Sequence, residues 1–133
     1  MSASTTGRDV IRVDDAPAPV GAYPHARRVG ELLFLSGIGP RVPGSDAIAP
    51  GIEGQCRQVF ANVRAVLEAS GARFEDLVDV TVYLTDMKND FATYNRLYAE
   101  AFAGVDACRT TVEVNALPTP IAIELKCIAA LTM

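Results

Sequence analysis

The chain has 133 residues, 50% of them apolar and 21% charged, which suits one domain over 1–133 with a single hydrophobic core and excludes a disordered chain. A net charge of −4 with no basic run argues against a nucleic-acid partner, although a local cation can still draw in an anionic ligand. No apolar run is long enough to cross a membrane, and the polar opening MSASTTGRD lacks an apolar signal core, so the expectation is a cytoplasmic protein with a flexible tail at 1–8.

Residues 9–13 (DVIRV) read as a first strand, and APAPVGAYPH after it is a Pro- and Gly-rich loop. RRVGELLFLSGIG predicts a hairpin, with a strand ending at 27–29, a turn at Gly30-Glu31 and a second strand over 32–37. From 52 to 70 the period becomes helical. Cys56, Val59, Phe60, Val63, Val66 and Leu67 share one side, Gln55, Arg57, Gln58, Arg64 and Glu68 the other, and Gly71 is the stop.

Residues 77–85 alternate. Val78, Val80, Val82 and Leu84 form the apolar side, and Asp79, Thr81, Tyr83 and Thr85 the polar one. A second amphipathic helix is predicted over 90–103, capped by Asn89 or Asp90, with Phe91, Tyr94, Leu97, Tyr98, Ala101 and Phe102 as its stripe. Strands at 109–115 and 121–131 close the chain. Two helices with one apolar stripe each cover one face of a mixed sheet, which gives an α+β two-layer sandwich. Cys56, Cys108 and Cys127 have neither metal-site spacing nor the even number of a disulfide framework, so they are read as small buried hydrophobes and no metal site is expected.

If the last two strands pair with each other, Val112 opposite Ile123 and Val114 opposite Ile121 put the apolar side chains on the helix side. Thr111 then faces Glu124 and Arg109 faces Lys126, so the polar groups share the face without helices. That face also holds Ala122, Ile128 and Ala130, too apolar to be left wet, so an oligomer that covers it is expected, with Arg109 and Glu124 in the crevices between subunits.

The segments GAYPHARRVGELLFLSG, QVFANVRAVLEASGARFEDLVDVTVYLTDMKNDFATYNRLYAEAF and RTTVEVNALPTPIAIELKCIA cover nearly all of the chain after the tail. In these the sequence resembles the RidA family of reactive enamine/imine deaminases. The resemblance implies a chorismate-mutase-like fold and a homotrimer with a site at each subunit interface. It also implies hydrolysis of 2-imino acids and their enamine tautomers to keto acids and ammonia, without cofactor. Position by position, Arg109 matches the arginine that clamps the substrate carboxylate, whose two oxygens suit a guanidinium fork. Glu124 matches the glutamate that orients the attacking water. Tyr23 matches a pocket-lining tyrosine, Ser36 and Gly37 the Ser-Gly strand end, and Asn95 a helix asparagine. Two positions depart from the pattern. Ile38 stands where many members have Gln, and Thr111 where many have Cys, so a thiol role is in doubt while the Thr111 hydroxyl offers a hydrogen bond.

The variants GAYPHARRVG, RTTVEV and IELK are similar to the 2-aminomuconate deaminase branch, whose dicarboxylate substrate yields 4-oxalocrotonate. His25 and Arg41 are the candidates for its second carboxylate. The alternatives are a general 2-iminobutanoate/2-iminopropanoate deaminase, a non-catalytic metabolite-binding regulator, and the ribonuclease role attributed to family members, against which the acidic charge counts.

Overall fold

The computed structural model describes residues 9–131; the expected tail at 1–8 lies outside the described residues. Its strands are β1 (Asp9–Ile11), β2 (Ala26–Val29), β3 (Leu32–Leu35), β4 (Leu77–Leu84), β5 (Cys108–Glu113) and β6 (Ile123–Ala130). The helices are α1 (Ile52–Ala69) and α2 (Met87–Ala101), with a 3-10 turn at Phe74–Asp76. The six strands form one sheet in the order β1-β2-β3-β6-β4-β5. β4 and β5 run parallel and the other pairs are antiparallel. Among the described residues no helix is long and apolar enough to cross a membrane.

Both helices lie on one face. Val59, Val63, Val66 and Leu67 of α1 and Tyr94 and Leu97 of α2 are buried against Leu33, Leu35, Val80, Val82, Leu84, Ile123 and Leu125 of the sheet. The β2–β3 hairpin turns at Gly30, whose φ of 61° is the left-handed conformation that favours glycine.

Four expectations require correction, three of them local. In β4, a bulge between Leu77 and Asp79 turns Leu77 inward and leaves Val78 40% exposed, so Val78 does not belong to the core face. Helix α2 begins three residues earlier than predicted. Asp86 is its N-cap and accepts a hydrogen bond from the Asn89 amide at 3.3 Å, while Glu113 from β5 takes the Met87 amide at 2.8 Å. Among the cysteines, Cys56 and Cys127 are buried, and burial pushes each thiol up to about 12, but Cys108 on the edge strand is exposed.

The largest correction concerns β5. It does not pair with β6, because β4 lies between them. A helix connecting β4 to β5 permits a parallel pair, and β5 takes the outer side of β4. The segment 114–122 then carries the chain back across β4 to the gap beside β3. In the resulting register Arg109 partners Val80, Thr111 partners Val82 and Glu113 partners Leu84. These three polar residues of β5 therefore face the helix layer, beyond the core, and Val112 lies on the open face at 36% exposure. Glu124 and Lys126 partner Tyr83 and Thr81, on the open face. Arg109 and Glu124 are on opposite faces of the sheet.

Candidate active site

A cavity of about 390 Å³ opens beside the β3 end of the sheet. Its floor is the open face of β6, which contributes Glu124 and Lys126. Its walls are Ser36, Gly37, Ile38, Gly39 and Arg41 after β3, the loop residues Pro17, Ala18, Pro19, Val20, Tyr23 and His25, and Pro118, Thr119 and Ile121 before β6. This brings together six residues predicted from sequence: Tyr23, His25, Ser36, Gly37, Arg41 and Glu124.

Four of these six hold the wall in place. The Tyr23 hydroxyl accepts from the Val20 amide at 3.1 Å, and Arg41 donates to the Ala18 carbonyl. Ser36 donates to the Pro24 carbonyl at 2.7 Å. Buried His25 accepts the Val13 amide at Nδ1 (2.9 Å), which leaves the proton on Nε2 to donate to the Pro17 carbonyl at 2.8 Å. Both ring nitrogens are engaged with backbone, so His25 shapes the loop and has no free ring nitrogen for a second carboxylate.

Residues that sequence reasoning missed support the wall from behind. Gln55 and Asn62 of α1 are buried polar groups seven residues apart. Gln55 joins Ala49 to Ala122, donating at 2.9 Å and accepting at 2.7 Å, and Asn62 donates to the Gly39 and Arg41 carbonyls at 2.9 and 2.8 Å. Gln55 had been placed on the outer side of the helix. The available signal was their spacing, since both fall on the face of Val59 and Val66. Asn62→Ala leaves two carbonyls short of a donor, and a loss of about 1–3 kcal/mol is expected in urea unfolding.

Glu124 is half-buried, and among the described residues no hydrogen bond or ion pair engages its carboxylate. Burial holds its carboxyl above the ordinary value of 4.5. Gly37 makes room for it. A Cβ at that position would fall inside contact distance of the Glu124 Oε2 and 3.0 Å from its Cδ. The atoms met are the free end of a side chain, so Gly37→Ala displaces the carboxylate rather than the backbone. The expected result is a melting temperature within about 2 °C of wild type with at least about a tenfold loss of any Glu124-dependent turnover.

The remaining predicted residues, Arg109, Asn95 and Thr111, do not line this cavity. They form a second cluster where β5 meets α2. The Arg109 guanidinium donates to Asn95 Oδ1 at 2.9 Å and lies over the rings of Tyr98 and Tyr94, 4.7 and 5.3 Å from their centroids. The Tyr94 hydroxyl bonds Thr111 Oγ1 at 2.8 Å. Burial outweighs the Thr111 hydrogen bond and the Arg109 charge, so the Tyr94 phenol sits above its ordinary value of 10.0. The two tyrosines and Asn95 hold the exposed Arg109 guanidinium on the edge strand of the sheet. β5 is two strands from β6, about 10 Å at ordinary strand spacing and on the other face, so one small ligand cannot touch both Arg109 and Glu124 of one protomer.

The chain is similar to known proteins along nearly its whole length. The family profile described as Endoribonuclease L-PSP matches residues 13–131. A RutC family protein of Pyrococcus horikoshii is 44% identical over 123 residues, which are 92% of this chain and 97% of the relative. The 2-iminobutanoate/2-iminopropanoate deaminase of Salmonella typhimurium is 38% identical over 122 residues, 90% and 94% of the two chains. The crystal structure of RidA from an Antarctic Psychrobacter species superposes with a TM-score of 0.85 at 32% identity, covering 98% of this chain and 99% of that one. The chain belongs to the endoribonuclease L-PSP family, the group that includes the RutC and RidA proteins.

Proposed function

We propose that the protein hydrolyses 2-imino acids and their enamine tautomers to 2-keto acids and ammonia, at sites shared between the subunits of a homotrimer. One observation carries this reading. A half-buried carboxyl with a raised pKa, without a partner among the described residues, lies on the floor of a cavity of small-metabolite size. The Salmonella relative's name supports the reaction type.

Two half-sites and an incompletely covered sheet face support this subunit arrangement. Val29, Leu32 and Val112 are exposed on the open face, and Phe34, Ile128 and Ala130 are only partly covered. A neighbouring copy laid on this face covers them and presents its edge Arg109 to the mouth of the cavity. The substrate carboxylate binds that guanidinium, which places the imine carbon over Glu124. Glu124 holds a water and takes its proton as the oxygen bonds to the carbon. The C=N electron pair goes to nitrogen, which takes up that proton to give the carbinolamine; the hydroxyl proton then passes through Glu124 to nitrogen, and the C–N bond breaks as the carbonyl forms and ammonia leaves.

The finer reading is the dicarboxylate 2-aminomuconate. It rests on the sequence variants GAYPHARRVG and IELK and on the cations that line the cavity, Arg41 and Lys126. The test is keto acid and ammonia release from 2-iminobutanoate, generated in place by a threonine dehydratase, run beside enzymatically produced 2-aminomuconate. Acceleration of the first establishes the deaminase, and a larger acceleration of the second establishes the branch. Acceleration of neither removes the enzyme and leaves a binding protein.

A further inference from the structure

Lys126 was not among the candidate site residues of the sequence, which placed it only on the open face of the sheet opposite Arg109. It sits two residues from Glu124 on the same face of β6 and lines the same cavity. Its ammonium is partly buried and donates one hydrogen bond, to the Leu35 carbonyl. An ammonium has three donors, so two remain. Among the described residues it has no ion pair; neither Glu124 nor Asp79, the acidic side chains nearest to it on that face, reaches it. The other cation of the cavity, Arg41, already donates to the Ala18 carbonyl and lies 3.8 Å from the exposed carboxylate of Asp46. Both ring nitrogens of His25 are engaged by backbone groups, so neither faces a ligand. A partly desolvated cation without a counter-charge, aimed into a ligand-sized space, is matched by an anion supplied by the ligand.

We infer that Lys126 is the specificity residue of this cavity and binds a second, distal carboxylate, so that the protein prefers imino dicarboxylates over imino monocarboxylates. The inference rests on the deaminase reading for the placement of the first carboxylate on Arg109. The ligand then spans three charges in order: Arg109 of a neighbouring subunit at one end, Glu124 and its water at the reacting carbon, and Lys126 at the other end.

The experiment measures the kcat/KM ratio for 2-iminoglutarate over 2-iminobutanoate in wild type, Lys126→Met and Lys126→Arg. Methionine keeps the apolar stem and drops the charge. The expected result is a wild-type ratio above one that falls about 10- to 100-fold in Lys126→Met and is largely restored in Lys126→Arg. A merely structural tie to Leu35 would depress both substrates together and leave the ratio alone, which overturns the inference. So does a wild-type ratio at or below one. Calorimetric binding of 2-oxoglutarate and 2-oxobutanoate separates this from the reading beneath it. If wild type deaminates neither imine, the deaminase reading falls. Lys126 is then decided by binding alone: a preference for 2-oxoglutarate lost in Lys126→Met supports it, and no preference or an unchanged one sinks it.

Discussion

Glu124→Gln is expected to lower kcat for imine hydrolysis by about 100- to 1,000-fold while KM moves less than about threefold. Glutamine fills the same space beside Gly37 and cannot accept a proton from water. If only KM changed, Glu124 would be a binding group and the water would be activated elsewhere. The same substitution has a second readout of opposite sign. Burial raises the Glu124 carboxyl above 4.5, so the folded state favours the protonated form. In the window from that value up to the raised one, the folded chain binds more proton than the unfolded chain, and stability falls as pH rises. Above the window the ionised carboxylate is a standing cost that glutamine does not carry. Glu124→Gln should therefore be the more stable protein at pH 7 and lose part of the wild-type stability gain on acidification. A variant that is steadier and slower is what a group placed for chemistry predicts. Equal stability at both pH values would count against the desolvated carboxyl.

Arg109→Ala is expected to leave a folded oligomer and lower kcat/KM by about 100- to 1,000-fold, the loss of a forked, charge-assisted carboxylate contact. Arg109→Lys should recover little of it, because a single ammonium cannot reproduce the fork or lie flat over Tyr94 and Tyr98. The decisive version mixes the two inactive proteins. Denatured together in equal amounts and refolded, Arg109→Ala and Glu124→Gln subunits form interfaces in which an intact Arg109 of one subunit meets an intact Glu124 of another. In a random mixture about a quarter of the sites are restored, so activity should return to that fraction of wild type. Each variant refolded alone should stay inactive. No recovery in the mixture would mean that the two residues do not share a site across subunits. Wild-type activity in Arg109→Ala would exclude the clamp altogether.

Strand and helix periodicity was legible because it is local. The 2.0 and 3.6 periods of 77–85 and 52–70 are set by side chains a few residues apart, and both elements form with the expected buried sides, apart from Gln55 and the bulge at Val78. The two-layer arrangement followed from counting apolar stripes. Strand pairing was not legible. Val112 and Ile123 suit an antiparallel hairpin by pattern alone, and only the βαβ link through α2 places β5 beside β4 instead. Reading the hairpin put Arg109, Thr111 and Glu113 on the wrong face. Their actual partners, Asn95, Tyr94 and the Met87 amide, belong to α2. Polar residues that satisfy one another across an edge look the same in sequence as polar residues facing water.

By itself the sequence determined the element types, the single α+β layer pair and, through the Arg, Leu-Pro and Glu segments at its end, the family. These depend on side-chain character along the chain. Only the tertiary structure decided that His25 and Tyr23 hold a loop, that Lys126 lines the cavity with no ion pair among the described residues, and that Arg109 and Glu124 point to opposite sides of one sheet. Those depend on which strand lies beside which, and strand order is set by the crossover connections and the closure of the whole core, which no local pattern records.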